Sequence, residues 1–357
     1  MHASLTLIAI AAVSGPGLQP VLDQVRVDQE VPGVSAVVAR EDEVIFAGAS
    51  GVADLETGRK MTPDTILYAG SLTKIFTAVL TLQLLEQGEL SLDDVVAGIA
   101  NESSPAHDDI LVSHLLTHAS GLDREGDFGY WFTADFPDDA ALASYLLGTE
   151  LRNQPGTSVS YSNIGYAALG PVIARASGQS YGDALQTRVL GPLGMESSGT
   201  LHPGPELSSG YSPVNRVLPN EEQPFAGLGR RIGNRHVREY HDAKAMTPAF
   251  GAFTSSRDLS RLARMLLGYG STVVLSADMR ARLLTPQAGI RGYGIRLGTH
   301  RGRPVARHGG WFAAHRTHLL LDLQSNVSVV VMANSDSAAP DEIAEALLDS
   351  VLDEASR

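Results

Sequence analysis

AGSLTKIFTAVL, residues 69–80, decides how this chain is read. It carries Lys74, one of three lysines in a protein that otherwise takes its positive charge from arginine. Lys60 and Lys244 lie in polar surroundings, whereas Lys74 is set among Ile75, Phe76, Val79 and Leu80. Ser71 stands three positions earlier. Residues three apart on a helix share a face, with Cβ atoms about 5–6 Å apart, so the amine reaches the hydroxyl. At the first turn the hydroxyl also meets the positive end of the helix dipole, which favours developing negative charge. Burial disfavours the charged ammonium and lowers its pKa. An amine of lowered pKa beside a serine is a base for a nucleophile. The alternative is a capped helix whose lysine runs along its stem to water. A lone S-x-x-K does not decide between them.

The rest of the chain narrows the choice. A length of 357 residues fits one large domain or two intertwined ones, and 43% apolar content fits a buried core. The net charge of −13 opposes binding to nucleic acid or to anionic lipid. No cysteine is present, which excludes disulfides, thiolate catalysis and cysteine-ligated metal. LTLIAIAAV (5–13) is too short to span a bilayer but matches a signal-peptide core, with Ala9-Ile10-Ala11 as an A-x-A site, although no Lys or Arg precedes it. Residues 1–16 are therefore expected to be a signal or N-terminal extension. The expected location is periplasmic or secreted, with cytoplasm the alternative.

Apolar periodicity predicts helices over 18–29, 73–88 and 256–268, several more between 90 and 210, and a last one over 341–355. Strands are expected in VPGVSAVVAR and EVIFAGAS, paired as a hairpin, and again in GYGIRLGTH, GRPVARHG, THLLLDLQ and VSVVVMANS. Residues 203–240 read as a long irregular loop. Strands at both chain ends imply one α+β domain over 17–357. Its α/β part is formed by 17–75 and 215–357, and its helical part by 76–214.

Two more elements accompany Ser71 and Lys74. Tyr161-Ser162-Asn163 opens an apolar helix and offers a phenol and an amide. A phenol near a cation deprotonates more easily and can shuttle a proton, although taken alone the motif reads by default as a turn with Asn163 as helix N-cap. His308-Gly309-Gly310 lies in a strand pattern, where glycines mark close approach of another backbone and an edge can offer N–H groups to an oxyanion.

Together and in this order, S-x-x-K, Y-x-N and H-G-G resemble the penicillin-recognising serine hydrolases: class C β-lactamases, D,D-peptidases, D-aminopeptidases and β-lactamase-like esterases. HLLTHASGL (114–122), PGTSVSYSNIGYAALG and VLGPLGM (189–195) resemble that family's connecting segments. The resemblance implies an antiparallel sheet flanked by helices, with a helical insertion. It implies Ser71 as the acylated nucleophile, Lys74 and Tyr161 as the proton-transfer pair, and Asn163 orienting lysine and substrate. His308, Gly309 and Gly310 form the binding strand, and the N–H groups of Ser71 and Trp311 form the oxyanion hole. It implies a small-molecule or short-peptide substrate, with no cofactor and no metal. Small esters and D-amino-acid peptides or amides come first. β-Lactams and D,D-carboxypeptidase substrates come second, because H-G-G lacks the family's lysine and central hydroxyl. Arg307 or Arg316 could replace that cation. An acyl-sensor, a scaffold and an acyltransferase are alternatives of another kind. The oligomeric state is not legible.

Rival motifs exist. GQSYG (178–182) fits the G-x-S-x-G nucleophile elbow, but the preceding text reads as helix rather than strand, so Ser180 is expected to be an N-cap with Asp183. His114 and His118, four apart, lack the glutamate of a zinc-hydrolase motif. Of His308, His315 and His318, the first and last are expected to share a face, with His315 opposite. Trp131 either lines a cleft or covers the core.

Overall fold

The computed structural model describes residues 17–96, 109–214, 228–238 and 241–354. Residues 1–16, with their expected signal segment, lie outside the described residues. The principal sheet has six strands in the order β2-β1-β11-β10-β9-β8, each pair antiparallel. These are β1 (Gly33–Arg40), β2 (Glu43–Gly51), β8 (Arg296–His300), β9 (Arg303–Phe312), β10 (His315–Asp322) and β11 (Val327–Ala333). The first hairpin thus joins the C-terminal strands through β1 and β11, with Val34 opposite Ala333 and Val38 opposite Val329.

Both faces of this sheet are covered, which is why β1 and β11 are apolar almost throughout. Alternate residues part company: Leu320, Val329 and Val331 join Leu22, Ile343 and Leu347 of the terminal helices Leu18–Asp28 and Pro340–Glu354. Leu319, Leu321, Val330 and Met332 face the larger core, which holds Leu72, Phe76, Val79, Ile164, Leu169 and Leu262. The helix Thr73–Glu86 runs through that core, buried from Thr73 to Leu84. A helix apolar on every side belongs at the centre of a domain. Beyond it Gly88 adopts φ +73°, closing the helix as a left-handed cap.

The helical middle contains Val112–Leu116, Tyr130–Thr133, Asp139–Gly148, Asn163–Ser177 and Tyr181–Leu185. Among the described residues no helix is long and apolar enough to cross a membrane. The expectation of an irregular loop over 203–240 needs correction. Strands β4 (Gly210–Pro213), β5 (Leu228–Ile232) and β6 (Arg235–Arg238) form an antiparallel sheet in the order β4-β6-β5. The strands are short, and β5 and β6 are rich in arginine, so the alternation that reveals a strand is missing from the sequence. The sheet closes on buried polar groups: Arg238 Nε donates to Ser212 Oγ at 2.7 Å, and Arg238 pairs with Asp336 at 3.5 Å.

Candidate active site

The nucleophile candidate sits where β9 meets the start of the central helix. Ser71 lies in a helical turn, Gly70–Leu72, ahead of Thr73–Glu86. Gly70 has φ +54°, and a Cβ there would lie 2.4 Å from the backbone nitrogen of Trp311. Gly310 meets the same constraint from the other strand, since its Cβ would fall 2.1 Å from the Ala69 carbonyl oxygen and 3.1 Å from the Ser71 nitrogen. The two glycines therefore let the backbones of 69–71 and 310–311 touch. Thr317 Oγ1 secures the contact by donating to Ala69 O at 2.8 Å. The pairing of β8 with β9 ends at Arg307, so His308–Phe312 turn an edge free of β8 toward Ser71.

Lys74 is fully buried, and its amine is held by fixed acceptors. Nζ donates to Asn163 Oδ1 at 2.7 Å and to Ala249 O at 2.8 Å, and lies 3.4 Å from Ser71 Oγ. Ala249 belongs to a wide turn, Thr247–Gly251, locked to the same helix: Thr77 Oγ1 donates to Pro248 O at 2.7 Å and Thr73 Oγ1 accepts from Ala252 N at 3.2 Å. Burial pushes the Lys74 amine well below its usual 10.5; Glu125 opposes that effect, while Arg124 and Arg291 add to it. A neutral amine has two N–H groups and one lone pair. Asn163 and Ala249 take two positions of the nitrogen, so the remaining one, an N–H in the ammonium and the lone pair in the neutral amine, faces Ser71 Oγ.

Tyr161 completes the group. Its buried phenol hydrogen-bonds Ser71, and Lys74 Nζ lies 4.8 Å from its ring centre. Burial pushes the phenol up to about 12, against the lowering pull of the Ser71 hydrogen bond. His118 stacks on the ring at 4.5 Å and accepts a hydrogen bond from Ser162 N at 3.1 Å. Ser162, not Asn163, is the N-cap of the helix Asn163–Ser177, accepting from Gly165 N at 2.8 Å. That frees the Asn163 side chain, whose Nδ2 donates to both oxygens of Glu125 at 2.9 Å. Tyr130 also donates to Glu125 in a short hydrogen bond. Asn163 Nδ2 is thus engaged by a carboxylate, and Asn163 Oδ1 is turned to Lys74.

His308 is buried and neutral: burial, with Lys74 nearby, pushes its imidazole down to about 3, and its Nδ1 pairs with Gly309 O at 2.7 Å. Trp311 Nε1 donates to Asp336 Oδ1 at 2.6 Å, and its ring stacks on Trp131 at 5.4 Å. Trp131 therefore joins the aromatic wall beside Trp311, together with Phe250 and Phe312.

The face-sharing expected of His308 and His318 falls away, whereas the expected capping role of Ser180 holds. His308 pairs with Leu319 and His318 with Gly309, so His308 and His318 lie on opposite faces and His315 shares the face of His308. Counting parity across a hairpin fails because the turn at Ala313–Ala314 resets it. Arg307 reaches Glu345 on the C-terminal helix at 2.7 Å, and Arg316 stands opposite Trp311 on β10. Two arginines stand beside Tyr161 instead, Arg291 at 5.4 Å and Arg124 at 5.7 Å from its ring centre. Ser180 caps the helix Tyr181–Leu185, accepting from Asp183 N at 3.1 Å and donating to Asp183 Oδ2 at 2.7 Å. A helix precedes it, so no nucleophile elbow forms. His114 accepts from Leu111 N at 3.2 Å as part of a helix start. Among the described residues no cluster of three or more His, Asp or Glu could hold a metal ion. Sequence reasoning missed Glu125, Arg291 and Ala249 as neighbours of the site, because each arrives from a segment with no motif of its own, and it read His118 only as one of a histidine pair on a helix.

A hydroxyl, a buried amine of lowered pKa and a buried phenol thus lie together, beside the closely packed backbones of 69–71 and 310–311, and such groups can support acyl transfer. The Beta-lactamase family model matches residues 18–353, and the chain belongs to that family. It is 36% identical over 349 residues to Penicillin-binding protein 4 of Amycolatopsis lactamdurans, covering 88% of this chain and 84% of that one. It is 34% identical over 218 residues to Esterase EstB of Burkholderia gladioli, covering 55% and 54% of the two chains. The fold matches the D-amino acid amidase of Ochrobactrum anthropi SV3 with a TM-score of 0.81 at 21% identity, over 94% of this chain and 98% of that one. The protein is a hydrolase of the β-lactamase fold.

Proposed function

We propose that the protein hydrolyses esters or amides through an acyl-enzyme on Ser71, with small esters and D-amino-acid peptides or amides as preferred substrates. The observation that carries this reading is the Lys74 amine, buried, held by Asn163 and Ala249, and aimed at Ser71 Oγ from 3.4 Å. Ser71 Oγ attacks the carbonyl and its proton passes to Lys74. The N–H groups of Ser71 and Trp311 stabilise the oxyanion; losing one such donor typically costs about 10²–10³ in rate. As the tetrahedral intermediate collapses, the leaving group takes a proton from Tyr161, which recovers one from Lys74. Water, activated by the same pair, then releases the acid and restores Ser71.

Relatives named as an esterase and as a D-aminopeptidase, the latter 28% identical over 336 residues, support the substrate ranking. The relative named as a penicillin-binding protein supports a second reading, β-lactam or D,D-peptide substrates. Neutral His308 offers their carboxylate no charge, which ranks this second. Turnover of p-nitrophenyl esters, D-alanine amide, D-Ala-D-Ala peptides and nitrocefin by wild type and by Ser71→Ala tests the proposal. Wild-type turnover of the first two, abolished by Ser71→Ala, is expected. Undiminished turnover by Ser71→Ala would overturn it.

A further inference from the structure

Tyr161 must carry negative charge, briefly, between giving its proton to the leaving group and recovering one. Its surroundings oppose that. The ring is buried, and Glu125 adds repulsion. The groups facing it are Ser71, Lys74, His118, Tyr166, His308, Arg124, Glu125 and Arg291. Most hold no fixed positive charge. Lys74 holds the Ser71 proton only in passing and gives it back to Tyr161, while burial pushes the His118 and His308 imidazoles well below their ordinary value. Arg124 lies 5.7 Å from the ring centre, but it is paired with Glu125 at 3.1 Å and its side chain is 67% exposed, so water and the carboxylate cancel most of its field.

Arg291 differs. It is partly buried and makes no ion pair among the described residues. An arginine keeps its proton throughout the working range. Its backbone is fixed in a tight turn: Arg291 N donates to Ala288 O at 3.0 Å and Gln287 N to Arg291 O at 2.7 Å.

We propose that Arg291 is a positioning residue for acyl transfer: a fixed cation, 5.4 Å from the centre of the Tyr161 ring, that holds negative charge on the Tyr161 oxygen while the proton moves. The inference rests on the Ser71 acyl-enzyme reading.

The test compares two butyrate esters. p-Nitrophenolate leaves without needing a proton, whereas ethoxide needs the one Tyr161 supplies. With wild type, Arg291→Gln and Arg291→Lys, kcat and KM are measured for p-nitrophenyl butyrate and ethyl butyrate. Arg291→Gln is expected to lower kcat on the ethyl ester roughly 10-fold or more and on the p-nitrophenyl ester less than about 3-fold, with KM little changed, and Arg291→Lys to restore most of the loss. Equal losses on both esters, no loss, or a change confined to KM would overturn the proposal. Should Arg291→Gln fail to fold, Arg291→Met, which keeps the stem without the charge, carries the same comparison. Failure of the underlying reading shows separately, as p-nitrophenyl butyrate turnover that survives Ser71→Ala.

Discussion

Asn163 Oδ1 and Lys74 Nζ are 2.7 Å apart, and Asn163 Nδ2 faces both oxygens of Glu125. The carboxylate thus fixes which end of the amide meets the lysine. Asn163→Ala removes an acceptor from a buried amine, and kcat is expected to fall about 10²-fold, on the scale of a lost proton-transfer group. Glu125→Gln has a different signature. Glu125 raises the pKa of Lys74, so removing its charge lowers that pKa further. The base works only when neutral, so the limb on which activity rises with pH moves to lower pH. The pH dependence of kcat/KM for the two variants checks both outcomes.

Gly310 and Gly309 are adjacent but not equivalent. An added Cβ at Gly310 falls 2.1 Å from Ala69 O and 2.2 Å from Thr317 Oγ1, both rigidly held. One at Gly309 meets His318 Nδ1 at 3.5 Å and Thr317 O at 3.7 Å, both ordinary contacts. Gly310→Ala is expected to force β9 away from Ser71 and to cost at least about 10²-fold in acylation, the scale of one lost oxyanion donor. Gly309→Ala should keep activity within a few-fold. Single-turnover acylation by a p-nitrophenyl ester compares the pair.

Ser180→Ala removes a helix N-cap, which costs about 1 kcal/mol. Turnover should be kept, because Ser180 serves Asp183 and lies in no hydrogen bond with the Ser71 group. Thermal melts beside ester turnover show whether stability falls while activity stands.

Acid should unfold the protein through its buried histidines. Burial pushes His308 down to about 3 and His315 and His318 to about 4, from an ordinary 6.5. The unfolded chain takes up protons as pH falls through about 6.5, while the folded chain resists until about 3–4. Stability is therefore full above the ordinary value and is lost between these limits. Urea midpoints measured from pH 7 to pH 4 are expected to decline, and less steeply in His318→Gln.

How far the sequence carried depended on distance along the chain. Ser71 and Lys74 lie on one turn, so spacing alone places them together. Gly309 and Gly310 advertise a close approach without saying to what; only Gly310 makes it. Glu125, Ala249 and Arg291 reach the site from three unrelated segments, and no local pattern links them to Lys74. The expected face-sharing of His308 and His318 failed because the register across β9 and β10 depends on a turn whose length parity does not encode. The short β4-β6-β5 sheet escaped notice because four- and five-residue strands, two of them arginine-rich, closed by a buried Arg238–Asp336 pair show no apolar alternation.

The central claim is that Ser71 becomes acylated. Peptide mapping by mass spectrometry, after acid quench of the enzyme mixed with a p-nitrophenyl ester, addresses it directly. The account predicts one acyl group on the peptide holding Ser71, formed as fast as or faster than steady-state turnover and absent from Ser71→Ala. An acyl group on a different residue that forms at that rate, or full turnover by Ser71→Ala, would contradict it.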